Sequence, residues 1–337
     1  MDLNRRQFIK IMGGTAAAFS FAGVILQGCK KSIEKASKST PIIWLQGQSC
    51  SGCSVSFINS SDPPIVDIIT QYISLNFHQT LCGGTSDVLI QVLKEAVSKN
   101  RKDYVLVVEG AIPVKSKNYC TLSSDKGHHI SIGEWVDKLA RNAKAVVAVG
   151  TCAAFGGIPA ARGNVTGAMG VTDFFKRIGL DKPVINISGC PSHPDWIFGT
   201  LAYFILKGKP PALDEYKRPL MYFGKTVHEN CSNLENYKKG IFAIYWGDIG
   251  CLYKLGCLGM DTGCDIPVRK WNDGANTCTK SGAGCLGCTE PVFPDTGRRG
   301  LYEHIQAGIN KIDQEENTQQ AHKSSNRLQK KGGVING

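Results

Sequence analysis

The placement of cysteine constrains this chain more than any other feature. There are 14 cysteines in 337 residues, well above ordinary usage but too sparse for a small disulfide scaffold, so metal ligation is the first chemistry to consider. Four of them follow apolar runs of strand length. Cys50 and Cys53 lie in Gln48-Ser49-Cys50-Ser51-Gly52-Cys53-Ser54, just after the run 42–45. Cys152 lies in Val149-Gly150-Thr151-Cys152, after 145–149, and Cys190 in Ile187-Ser188-Gly189-Cys190-Pro191, after 184–187. A lone CxxC could be a redox dithiol. Four thiols at strand ends form a stronger pattern, one that suits zinc or a cubane cluster. The glycines beside them would let backbone amides approach anionic sulfurs.

Those runs, with two more at 73–77 and 104–109, read as buried strands. Between them, 87–98, 133–143, 172–178 and 195–206 have helical spacing. The alternation predicts an α/β fold, a doubly wound parallel sheet, whose ligands sit beyond the carboxyl ends of the strands. From about residue 210 the alternation stops and a smaller, irregular region rich in Cys and Gly follows. It holds eight further candidate ligands: His228, Cys231, Cys251, Cys257, Cys264, Cys278, Cys285 and Cys288. Eight ligands make two sets of four. A lone histidine is usually an ordinary surface residue, and Cys278 could be a free buried thiol; the HxxC spacing and the partner cysteines favour ligation.

The motifs Cys50-x-x-Cys53, Gly150-Thr151-Cys152 and Gly189-Cys190-Pro191 resemble the proximal-cluster motifs of nickel–iron hydrogenase small subunits. They also resemble a subunit of respiratory complex I, so the first half alone does not decide; Asp195-Trp196 with Gly199-Thr200-Leu201 is similar to the hydrogenase branch. The resemblance implies a flavodoxin-like first domain and a proximal 4Fe-4S cluster on Cys50, Cys53, Cys152 and Cys190. It implies a distal 4Fe-4S cluster on His228, Cys231, Cys251 and Cys257. It places the medial cluster on Cys264, Cys278, Cys285 and Cys288. Many relatives have a proline seven residues before the medial CxxC and hold a three-iron cluster; Cys278 stands there in this chain, so a four-iron medial cluster is expected, with 3Fe-4S if Cys278 is not a ligand. The resemblance further implies electron transfer from a large subunit that holds the nickel–iron site, through the proximal, medial and distal clusters, to a cytochrome or other redox acceptor. No catalytic residue is expected in this chain itself.

Several departures qualify that picture. The arginines usual after the distal cysteine are replaced by Ser232-Asn233-Leu234, which puts the usual acceptor-docking surface in doubt. Gly52 and Ala160 stand where some oxygen-tolerant relatives have extra cysteines, implying an ordinary proximal cluster and oxygen sensitivity. Ser49 replaces a glutamate common in relatives, so a proton role there is lost. Glu109, at a strand end, is read first as a solvated or salt-bridged carboxylate and second as part of a proton path. Cys82 and Cys120 are read as structural thiols.

The ends carry addresses rather than fold. Asn4-Arg5-Arg6-Gln7-Phe8 before the apolar run 11–26 resembles a twin-arginine signal, with an N-terminal anchor helix as the second reading. Leu26-Gln27-Gly28-Cys29 resembles a lipoprotein box, making Cys29 a lipidation candidate. The expected organisation is a leader at 1–40, a flavodoxin-like domain at 41–209, a cluster domain at 210–308 and a polar tail at 309–337. Periplasmic location, or the outer face of the cytoplasmic membrane, follows from the signal, with membrane association through lipid or a partner. The formal charge of +11 invites a nucleic-acid reading, but +5 lies in 1–40 and +2 in 309–337. No dense basic stripe interleaved with aromatics stands out in between, so nucleic acid is discounted. A zinc-ribbon module and a stand-alone ferredoxin-like carrier are the competing readings. The first is disfavoured by the long span from Cys50 to Cys190, the second by the absence of the C-x₂-C-x₂-C-x₃-C-P run.

Overall fold

A computed structural model describes residues 40–295 apart from 84–85, 99–101 and 126. The leader motifs and Cys29 lie outside the described residues, as does the whole of the expected polar tail. Five strands form one parallel sheet: β1 (Pro41–Gln46), β2 (Ser74–His78), β3 (Val105–Glu109), β6 (Ala145–Val149) and β7 (Val184–Ile187), in the order β2-β1-β3-β6-β7. Counting only these five, the order is the flavodoxin-like 2-1-3-4-5. All residues of β1, β3, β6 and β7 are buried. Continuous apolar runs such as Val-Leu-Val-Val and Ala-Val-Val-Ala-Val form strands because both faces of the sheet are covered.

Alternate side chains go to opposite faces. Ile42, Trp44, Val105, Val107, Val147 and Ile187 pack on one side, with α6 (Pro194–Lys207). Ile43, Leu45, Leu106, Val108, Val146 and Ala148 pack on the other, against α2 (Ser86–Ser98), α3 (Ile132–Asn142) and α5 (Val171–Arg177). Helix α3 shows why these segments are helical. Ile132, Trp135, Val136 and Leu139 recur at spacings of three and four and are buried, and Ser131 and Glu134 form a reciprocal capping box at its start. An antiparallel hairpin, β4 (Thr121–Asp125) and β5 (His128–Ser131), was not expected from the sequence; its Ser-rich strands carry no apolar run.

Past α6 the described chain has only short helices: α7 (Leu220–Phe223), α8 (Leu234–Lys238) and α9 (Ile266–Arg269), with isolated turns between them. Tyr222, Phe223, Val227, Cys264, Ile266 and Cys285 join the same apolar cluster as β1, β3, β6, β7 and α6. One core therefore runs from the sheet into the cysteine-rich region. Buried ion pairs pin the junction: Arg269 with Asp195 at 2.8 Å and Asp265 at 2.7 Å, and Arg218 with Asp214 at 2.7 Å and Glu290 at 2.9 Å. No helix among the described residues is long and apolar enough to cross a membrane.

Candidate metal centres

The first ligand set gathers at the carboxyl edge of the sheet. Cys50 and Cys53 follow β1, and Cys53 opens α1 (Gly52–Ile58); Cys152 lies in α4 (Thr151–Phe155) after β6, and Cys190 follows β7. The four thiols sense one another electrostatically. Burial pushes the Cys53 thiol well up, with Glu109 next and smaller contributions from Cys152 and Cys190. Burial likewise pushes Cys152 up to about 12, helped by Cys190 and Cys50, and raises Cys190, helped by Cys50.

The spacing between sulfurs is kept open by glycine. Gly150 has φ +89° and ψ 154°, a conformation nearly exclusive to glycine, and a Cβ there would stand 2.6 Å from Cys53 Sγ. A Cβ on Gly157 would lie 2.9 Å from Cys152 Sγ.

Glu109 corrects its first sequence reading. It is 1% exposed, and its partners are neutral donors rather than a cation or solvent. It accepts from Trp44 Nε1 and Gln46 Nε2 at 3.1 Å each, Ser49 Oγ at 3.2 Å, the Cys53 and Ser54 backbone N–H groups at 3.1 Å each, and Ser54 Oγ. A buried carboxylate with this many donors is satisfied without a countercharge. Its place at the end of β3 thus fixes the start of α1 and with it Cys53. On the far side of Ser54 lies His78, whose Nδ1 accepts from the N–H groups of Thr80 and Leu81. Burial holds the His78 imidazole down to about 4. The network was legible only in part, since nothing in the spacing of His78, Ser54 and Glu109 announces contact.

The second and third sets adjoin the first in order. Cys285 and Cys288 each sense Cys278 and influence Cys264: Cys264 is raised by burial and then by Cys288, and Cys285, pushed up to about 11 by burial, senses Cys257 and Cys278. Cys288 is raised by burial and by Cys285, Cys278 and Cys190. Cys278 is exposed as a residue, yet burial raises its thiol, and it senses Cys257 of the third set. His228, Cys231, Cys251 and Cys257 line one small cavity with Asn233 and Thr279. The His228 ring meets Tyr237 edge-on, with centroids 4.5 Å apart. Cys257 borders both sets, because the Cys285 N–H donates to its sulfur at 3.1 Å.

Backbone amides are aimed at the sulfurs of Cys50, Cys231 and Cys257. Gly52 donates to Cys50 at 3.4 Å and Asn233 to Cys231 at 3.4 Å. The Cys285 N–H reaches Cys257 in the same way. Such donors are wasted on neutral thiols and suit thiolates bound to an anionic cluster. Among the described residues no group of three or more His, Cys, Asp or Glu side chains is gathered tightly enough for a single metal ion. One zinc needs every sulfur about 2.3 Å from one point. A cubane spreads its ligands over four irons, so its cysteines stand further apart than those around one zinc. All 13 described cysteines are free of disulfides. Cys120 is half-buried, its thiol raised by burial, and the Cys82 sulfur accepts the His78 N–H at 3.1 Å. Both stand apart from the three sets.

One hydroxyl that the sequence reading passed over joins two sets. Thr151 Oγ1 accepts from the Gly189 N–H at 2.8 Å and donates to the Cys288 carbonyl. Three cysteine-bearing segments meet on that side chain; the signal was its place beside a ligand at a strand end.

Comparison with known proteins resolves the ambiguity of the first half. Residues 50–204 match the model of the NADH ubiquinone oxidoreductase 20 kDa subunit family, and residues 223–299 match that of the C-terminal part of the NiFe/NiFeSe hydrogenase small subunit. The chain is 41% identical to the periplasmic [NiFeSe] hydrogenase small subunit of Desulfomicrobium baculatum, over 90% of this chain and 99% of that protein. It is 34% identical to periplasmic [NiFe] hydrogenase small subunit 1 of Nitratidesulfovibrio vulgaris, over 87% and 91%. A reduced, active form of the Desulfomicrobium baculatum Ni-Fe-Se hydrogenase superposes with a TM-score of 0.73 and 43% identity, covering 76% of this chain and 96% of that one. The chain therefore belongs to the small subunits of nickel–iron hydrogenases, the electron-transfer partners of the large subunit in oxidoreductases that act on dihydrogen.

Proposed function

We propose that this chain carries electrons along three four-iron clusters: proximal on Cys50, Cys53, Cys152 and Cys190, medial on Cys264, Cys278, Cys285 and Cys288, distal on His228, Cys231, Cys251 and Cys257. Bound there, the clusters would supply one-electron centres between the nickel–iron site of the large subunit and an external redox acceptor, a cytochrome or similar protein. The observation that carries the reading is the contact between sets. The Thr151 hydroxyl joins the Cys190 loop to the Cys288 carbonyl, and the Cys285 N–H donates to the Cys257 sulfur, so the first set adjoins the second and the second the third.

The residues of this chain do four things for such centres. Buried Cys53, Cys264 and Cys285 keep water from the sulfurs, and the amides aimed at Cys50, Cys231 and Cys257 favour the anionic form. His228, as a neutral imidazole in place of a thiolate, removes negative charge and eases reduction at the distal position. Cys278 supplies the fourth medial thiolate, and its grouping with Cys285 and Cys288 supports that role. Exposed Cys50 lies beside a groove of about 1150 Å³ lined by Gly52, Val55, Pro191, Leu220 and Trp271, which we assign to the large subunit. The division into a flavodoxin-like domain at 41–209 and a cluster domain at 210–308 belongs to the same proposal. So do twin-arginine export to the periplasm and lipidation at Cys29; the relatives named periplasmic support the location.

The test is the iron and nickel content of the complex isolated natively and without oxygen. Three four-iron clusters give about 12 irons per copy of this chain, with about one further iron and one nickel from the partner. Iron without nickel would leave a stand-alone carrier, and zinc in place of iron would overturn the reading. A stoichiometric three-iron EPR signal in the oxidised protein would remove Cys278 from the medial set.

A further inference from the structure

The segment between Ile241 and Cys251 turns its apolar side chains outward. Ile249 is 90% exposed, Tyr245 60%, Trp246 59%, Ile244 51% and Ile241 46%. A run of this kind leaves large apolar area in water, and an exposed patch that size marks an interaction site. The loop is built rather than slack. Its ends are paired by Cys251 N–H to the Ile241 carbonyl at 2.9 Å and Ala243 N–H to the Cys251 carbonyl at 3.1 Å. Asp248 Oδ2 accepts the Ile244 and Tyr245 N–H groups at 3.0 and 2.8 Å, closing the tip. At the base, Phe242 packs against Tyr237 and Tyr253, and Tyr237 meets the His228 ring. The apolar face is thus fastened to two ligands of the distal set, Cys251 and His228.

Its charge is as informative as its apolarity. Residues 240–250 hold one charged side chain, Asp248, and its carboxylate is engaged by the loop's own backbone. The residues after Cys231 are the neutral Ser232-Asn233-Leu234. A surface that docks a lysine ring needs acidic side chains around the exit, and the side chains flanking this loop, Lys238, Lys239 and Lys254, are basic instead. Those lysines beside aromatics also suit a lipid headgroup layer, but the fastening of the loop to Cys251 and His228 favours a partner at the electron exit.

We propose that the loop 241–250 is the docking surface for the electron acceptor, a redox protein whose cofactor edge is rimmed by uncharged apolar side chains. The proposal rests on the reading of the distal set as the electron exit. Binding there is driven by burial of Trp246, Ile249 and their neighbours, and it is nearly independent of salt.

The experiment uses the intact large–small complex under dihydrogen with three probes. They are a blue-copper protein with an apolar rim around its metal, a cytochrome c with a lysine ring, and methyl viologen. Each dihydrogen oxidised by the large subunit releases two protons and two electrons, which reduce two copper centres. Blue-copper turnover, divided by viologen turnover in the same preparation, should change less than about twofold between low and high ionic strength. In the Trp246→Asp/Ile249→Asp variant that ratio should fall about tenfold or more, with Trp246→Ala as a milder second variant. A ratio unchanged in both variants overturns the proposal, as does a steep salt dependence or a preference for the lysine-ringed cytochrome. Loss of binding to phosphatidylcholine/phosphatidylglycerol vesicles, or of self-association, with the ratio intact would assign the loop to a membrane or a second copy and overturn it equally. If the wild-type complex shows no distal-cluster EPR signal, the underlying reading of the distal site has failed instead.

Discussion

Replacing Gly150 by alanine isolates what glycine does at the proximal site. The new methyl would sit 2.6 Å from Cys53 Sγ, where ordinary contacts run about 3.5–4.0 Å, so the sulfur or the loop has to move by about 1 Å. The backbone adds its own cost, about 1–3 kcal/mol for a side chain held at φ +89°, ψ 154°. At about 2–4 °C per kcal/mol, the melting temperature should fall by roughly 2–12 °C. Ligand positions in metal sites tolerate about 0.2 Å, so the displaced thiolate should also empty the site, removing about four irons per complex. Gly179→Ala is the control. Gly179 has φ +67° but nothing within 4 Å of its added Cβ, so it pays a backbone cost of about 1–2 kcal/mol and should keep its iron. Iron analysis, the proximal EPR signal and calorimetry on both variants separate crowding from strain. A Gly150→Ala complex with full iron and a wild-type proximal signal would refute the reasoning.

Two further outcomes follow from buried charge. His78, held down to about 4 by burial, binds its proton more weakly folded than unfolded, where its value is about 6.5. Stability is therefore lost as pH falls from about 6.5 towards 4, by up to about 1.4 kcal/mol per unit. His78→Gln should flatten the difference in melting temperature between pH 7 and pH 5, and parallel curves for variant and wild type would count against it. Arg218, 4% exposed, is shared by Asp214 and Glu290 and also donates to the Thr289 carbonyl at 3.0 Å. Arg218→Ala strands two carboxylates and should cost about 3–5 kcal/mol in denaturant unfolding; a loss below about 1 kcal/mol would show that the pair is not needed.

The sheet was legible because its signal is local. Buried parallel strands are short continuous apolar runs, and 145–149 and 184–187 coincide with β6 and β7, while the other three strands differ by a residue at one or both ends. The amphipathic helices followed from spacing for the same reason. The gathering of Cys50, Cys53, Cys152 and Cys190 at one edge of the sheet was legible because each follows a strand of it. What the sequence could not display were contacts between residues far apart in the chain: Glu109 with the Cys53 N–H, the Cys285 N–H with Cys257, and Thr151 with Cys288. The hairpin β4–β5 escaped because Ser and His make a strand there only through the ladder between the two segments. The reading of Glu109 as solvated or salt-bridged failed on burial, which depends on how β1, β3 and α1 stack rather than on the identity of their residues.

The Thr151 hydroxyl bears on how a chain of this kind could be assembled from older parts. The segment matched by a respiratory-chain family ends near residue 204, and the segment matched by the hydrogenase family begins near 223. The two meet through one shared apolar core, buried Arg218 and Arg269, and a threonine that holds the loop of Cys190 on one side and the loop of Cys288 on the other. Grafting one half onto a foreign partner is thus not a matter of joining two modules through a linker. Any chimera has to inherit both faces of the seam, and lineages that exchange one half would be expected to carry the threonine, the arginines and their carbonyl and carboxylate partners as a set.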